Sequence, residues 1–152
     1  MKRFKFLIGG VFLLLLVAPS WGNLNIKVAV DNLNFTLNSM AIRIREGRGL
    51  DLNHSGQCSS NVSFKDFDGK SVSYKLENNA VQRDIDGSGF TPLTSNQVVI
   101  EDLQFCPVEQ GRCGRDDSCK KTVAIYLIGT VNKNGKGETT LRLQTTVAQR
   151  NK

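Results

Sequence analysis

One histidine, no CxxC pair and no glycine-rich phosphate loop leave this chain without the usual parts of a zinc site, a charge-relay triad or a nucleotide pocket. Acidic residues are missing from the whole stretch before Asp31. No apolar run reaches the roughly 20 residues of an uninterrupted bilayer span. The formal charge of +6 is modest, and because Lys2, Arg3 and Lys5 precede the first apolar run, residues 23–152 carry only +3. That imbalance is too weak to require a nucleic-acid partner. The 152 residues, 39% of them hydrophobic, suffice for one globular core and little else.

What is present begins with an export signature. A basic Met-Lys-Arg-Phe-Lys precedes the 13-residue apolar segment Phe6 to Ala18. Such a flank stays on the cytoplasmic side while the apolar segment enters the membrane. Two outcomes fit. The segment can be a signal core, with Ser20 and Gly22 supplying small residues for a cut after Gly22. Alternatively, the helix runs on through Pro19, kinked but unbroken, into residues where Val30, Leu33, Leu37, Met40, Ala41 and Ile44 recur at helical spacing. Leu24, Ile26, Val28 and Val30 also alternate with the period of a strand, but the longer helical pattern governs the reading.

After Gly47 and Gly49 the pattern changes to short alternating runs between turn residues. Val62 and Phe64 lead to an Asp68-Gly69 hairpin, Val72, Tyr74 and Leu76 to Asn78-Asn79, and Ala80 to Ile85 completes a three-strand meander. Pro92 keeps the next segment out of a central ladder. Further strands are expected around Val98 to Phe105, Thr122 to Val131 and Thr139 to Ala148, the second of them apolar on both faces. The expected class is α+β, a long N-terminal helix lying on an antiparallel sheet, divided into an export or anchor segment 1–22, an amphipathic helix 23–50 and a β head 51–152.

Four cysteines, Cys58, Cys106, Cys113 and Cys119, in an exported chain point to two structural disulfides, with all three pairings open. The polar stretch 106–119 reads as a surface loop held by them. Asp84, Asp86 and Ser88 place oxygens at alternate positions around Gly87, the beginning of a calcium loop, but without a closing bidentate glutamate. A plain Asp-Gly turn explains them as well, and the same holds for Asp66 and Asp68 before Gly69. His54 beside Ser55 has no third group to orient it and reads as a loop histidine. Neither an enzyme site nor a cofactor is expected. Asn34, Asn53 and Asn61 each begin an N-glycosylation triplet.

A basic leader, an apolar segment, an amphipathic helix ending in Ala41-Ile42-Arg43-Ile44-Arg45-Glu46-Gly47 and then an all-β half together resemble the minor type IV pilins and type II secretion pseudopilins. Within the β half, Ser71 to Leu76, Phe90 to Ser95, Val98 to Phe105 and Leu141 to Arg150 look like that family's successive strands. The resemblance covers Leu33 to Asn151. It implies a non-enzymatic subunit of a pilus or secretion pseudopilus at the cell surface, anchored by a single N-terminal helix with its head outside the cytoplasm. Its implied partners are other pilin or pseudopilin subunits and the inner-membrane assembly machinery. Processing is implied at Gly10, although prepilins place a glutamate five residues beyond the cut and here Leu14 and Leu15 follow Gly9 and Gly10. DNA, the ligand of competence pilins, would meet Arg112, Arg115, Lys120 and Lys121. The alternative is a secreted, signal-cleaved β-sheet binding module.

Overall fold

The computed structural model describes residues 21–52, 57–108, 121–132 and 137–150. One helix, α1 (Trp21–Glu46), is followed by β1 (Arg48–Asp51), β2 (Asn61–Lys65), β3 (Ser71–Glu77), β4 (Ala80–Ile85), β5 (Thr91–Pro92), β6 (Val99–Pro107), β7 (Thr122–Asn132) and β8 (Glu138–Ala148). The expected α+β class is therefore corrected: strand dominates, the strands form two antiparallel sheets instead of one, and the fold is mainly β. The physical reason is coverage. A helix about 10 Å across shields roughly two strands spaced about 4.8 Å apart. The apolar faces of six longer strands exceed that, so the rest must cover one another.

Sheet 1 has the order β1-β2-β3-β4-β5 and sheet 2 the order β6-β7-β8. The meander β2-β3-β4 follows the turn chemistry, with Gly69 at φ 81° in the first hairpin and Asn78 and Asn79 at φ 51° and 58° in the second. Two consecutive left-handed residues match the twist of the flanking strands, and asparagine tolerates that conformation best after glycine. Pro92 sits on β5, a two-residue edge strand, where its missing N–H breaks no ladder. Strand β1 takes residues 48–50 out of the expected helix 23–50, with Gly49 at φ 65° and a register shift against β2 between Arg48 and Asp51.

The core gathers Val62, Phe64, Val72, Tyr74 and Val81 from sheet 1 and Ile100, Leu103, Phe105, Val123, Ile125 and Leu127 from sheet 2. Helix α1 closes it against β7, β8 and β1, while β6 packs on β2, β3 and β4. Of the stripe read from the sequence, Leu33, Leu37, Met40, Ala41 and Ile44 are buried, while Val30 is half-buried and Ala29 takes its place in the core. The competing alternation between Leu24 and Val30 is absorbed into the helix. At Gly129 an added Cβ would lie 3.4 Å from Leu33 Cδ1, so a missing side chain on β7 lets the helix settle close to the sheet. At Gly47 it would lie 2.5 Å from Phe64 Cδ2 and 2.7 Å from the Lys65 carbonyl, which is why the chain leaves the helix through a glycine.

The central strand β7 is fully shielded on one side only: Val123, Ile125 and Leu127 face the core, whereas on the other side Thr122, Ala124 and Thr130 are buried but Tyr126 is 38% exposed. Around the helix C-terminus, Arg150 N donates to Arg45 O (3.0 Å), Leu50 N to Gln149 Oε1 (3.2 Å) and Lys121 Nζ to Leu50 O (3.0 Å). Among the described residues no helix is long and apolar enough to cross a membrane. The apolar segment Phe6 to Ala18, with Gly10, lies outside the described residues, and Gly22 is the second residue of α1.

Candidate functional site

Among the described residues one disulfide joins Cys58 to Cys106 across 48 positions of sequence. It sits where Ser59 and Phe105 exchange backbone hydrogen bonds of 2.9 and 2.8 Å, so covalent and backbone links together tie the lead into β2 of sheet 1 to the end of β6 in sheet 2. Cys113 and Cys119 lie outside the described residues, as do Arg112, Arg115, Lys120, His54 and Ser55. Of the basic loop only Lys121 is described, and its ammonium is engaged by the Leu50 carbonyl beside the helix end.

The calcium-like triplet is occupied with turn-making. Asp84 Oδ1 accepts from Gly89 N at 3.0 Å and Asp86 Oδ1 accepts from Ser71 N at 2.8 Å, while Asp86, Gly87 and Gly89 all take positive φ. Carboxylates aimed at backbone donors fix the loop geometry that a bare left-handed backbone would not hold. Asp66 is used alike: its Oδ1 accepts from Lys70 N at 2.9 Å, and its Oδ2 lies 3.8 Å from Arg43. Among the described residues no three His, Cys, Asp or Glu side chains converge as a metal site.

Tyr74 is fully buried in the floor of sheet 1, its ring 6.0 Å from that of Phe64. Burial pushes its phenol above the ordinary value of 10.0, and the nearby cations Arg43 and Arg83 pull it partly back. On the outer surface of the same sheet a polar depression of about 450 Å³ is floored by Ser63 and Ser73 and bounded by Asp51, Asn61 and Lys75. Lys75 Nζ lies 3.9 Å over the Phe90 ring and 2.9 Å from Glu77, so its charge is already partnered.

The larger surface feature runs beside α1. Phe35, Ser39 and Ile42 on the helix and Asp66, Phe67 and Asp68 on the β2–β3 turn enclose a groove of about 530 Å³, with Arg43 and Glu46 at its end. Phe35 is 71% exposed, Phe67 66% and Ile42 52%, and Val28 continues the same helix side at 44%. Contiguous apolar exposure of this kind marks interaction surfaces in soluble domains. The helical pattern of the sequence pointed to the buried side of α1 and missed this one. Its signal was the seven-residue recurrence of Val28, Phe35 and Ile42, and nothing in the sequence placed Phe67 beside it.

Comparison with protein-family models, curated proteins and solved structures finds no match for this chain.

Proposed function

We propose that this chain is a non-enzymatic subunit of a type IV pilus or a secretion pseudopilus, held in the membrane by its N-terminal segment and acting by assembly with other subunits. The observation that carries this reading is where burial starts along α1. The side chains of α1 are described from Ile26 onward, and there Ile26 is half-buried, Lys27 and Val28 are exposed, and full burial starts at Ala29. A helix whose burial begins only at Ala29 suits continuation of the preceding apolar run Phe6 to Ala18 into lipid or into a neighbour. The resemblance of the strand segments to pilin heads supports the same reading. Sheet 1, sheet 2 and the Cys58–Cys106 bridge would then form a rigid outer body that selects partners.

Mass spectrometry of the mature N-terminus tests this directly. A chain beginning near Val11 and recovered in the membrane fraction is the expected result. A chain beginning at Asn23 and recovered free in the medium would replace this reading with the signal-cleaved binding module. Such a cut removes Trp21 and Gly22 from α1 but none of the residues from Ala29 onward that close the core.

A further inference from the structure

We propose that the outward side of α1 docks α1 of a second copy of this chain, lying parallel and displaced by two heptads, so that Lys27 of one copy meets Glu46 of the next. This contact rests on the assembly reading above and names its geometry. Val28, Phe35 and Ile42 are spaced by seven residues, on the side of the helix opposite Ala29, Leu33, Met40 and Ile44. Seven residues make nearly two turns, so the three side chains form one seam, and Trp21 occupies the same heptad position one repeat earlier. A seam of constant spacing allows a second identical helix to pack only at displacements of whole heptads.

Charge decides which displacement. With the seam taken as position a, Lys27 is a g residue, while Asn32, Ser39 and Glu46 are e residues. In parallel helices a g side chain meets the e side chain five positions further along the neighbour, and such pairs set orientation and register. With no displacement Lys27 meets Asn32, with one heptad Ser39, and with two heptads Glu46. Only the last brings opposite charges together. Asp68, on the turn beside the groove, adds negative charge at that end, whereas Asp66 is bonded to Lys70 N and close to Arg43. Antiparallel packing sets g against g and e against e, which takes Lys27 away from Glu46 altogether. Lys27 and Glu46 are both exposed and have no ion-pair partner among the described residues.

The d positions are Asp31, Asn38 and Arg45, so the seam is one side chain wide, and Phe67 on the β2–β3 turn supplies its second wall. Two heptads correspond to about 21 Å of helix rise. Each copy uses its Val28 end on one neighbour and its Ile42 end on the other. A contact of this heterologous kind repeats from copy to copy and builds an open chain instead of a closed pair.

The test is cross-linking in membranes containing two differently tagged full-length copies. Val28→Cys in one copy and Ile42→Cys in the other should cross-link to each other, and Phe35→Cys copies should not cross-link to themselves. Lys27→Glu in the Val28→Cys copy should lower the Val28–Ile42 yield about fivefold, the size of an exposed ion pair of about 1 kcal/mol, and Glu46→Lys in the Ile42→Cys copy should restore it. Self-cross-linking through Phe35→Cys, or a yield indifferent to both charge reversals, overturns the contact. All five side chains are exposed, so unchanged urea midpoints verify that the variants are folded. A mature chain starting near Val11 that gives no Val28–Ile42 product defeats the contact while leaving the assembly reading intact; a start at Asn23 defeats the assembly reading itself.

Discussion

Along α1, the side bearing Leu33, Leu37, Met40 and Ile44 is closed over by the sheets, whereas the side bearing Val28, Phe35 and Ile42 faces outward. The two sides are chemically alike, yet the first is surrounded by core partners from β1, β7 and β8, whereas beside the second lie, among the described residues, Phe67 and the polar turn of β2–β3. The free energy of an apolar side chain depends on how much water its neighbours exclude, so similar residues on one helix serve different ends. The inner side holds the fold together. The outer side costs little to keep exposed and is available to another chain.

The sharpest way to break that contrast is Leu33→Ala. Leu33 is 0% exposed and touches the bare surface of Gly129, so a cavity would remain, and a loss of about 4 kcal/mol is expected in urea unfolding. A loss below about 1 kcal/mol would mean that the inner side is as loosely held as the outer one.

Removing the Cys58–Cys106 bridge with paired serines should cost about 3 kcal/mol, read in the same titration. The bridge acts on the fold and not on the outer stripe, since it joins the lead into β2 of sheet 1 to the end of β6 in sheet 2. Cross-linking through the outer stripe should survive this change at temperatures where the variant is folded.

Smaller still is the effect of Tyr74. Its raised phenol pKa means that the folded state holds the proton more tightly than the unfolded chain. The resulting stability is complete below about pH 10, the unfolded value, and is lost as pH rises from there through the folded value. Tyr74→Phe should therefore flatten the alkaline limb of the stability profile, measured by urea unfolding between about pH 8 and 11. A limb unchanged by the substitution would show that the phenol does not titrate differently in the core.

Least of all in stability is Phe35→Ser. At 71% exposure its replacement should move the unfolding midpoint by less than about 0.5 kcal/mol, while weakening the association of copies. A large loss of stability would erase the distinction between the two sides of the helix.

Much of the local structure was legible in advance. The helical recurrence from Val30 to Ile44, the Asp68-Gly69 and Asn78-Asn79 turns, and the alternating runs at Val62, Val72, Val98 and Thr139 each mark an element that the fold contains. Strand β1 was hidden, because Arg48-Gly49-Leu50-Asp51 carries no alternation strong enough to stand out and is held by pairing with β2 and by Gln149. The division into two sheets was hidden as well. Whether Val98 to Pro107 adds to the first meander or starts a second sheet depends on which edge it reaches, and sequence periodicity is the same in both cases.

The sequence by itself determined the helix that stops before Gly47, the meander and the inward side of most strands, since these follow from short-range periodicity, turn residues and the exclusion of water. Tertiary structure alone decided that β6, β7 and β8 form a sheet of their own, that Cys58 joins Cys106, and that Phe67 comes to rest beside Phe35 and Ile42. Those juxtapositions link residues 25 to 48 positions apart or separate strands of equal pattern, and the packing of the whole core, not any local preference, selects among them.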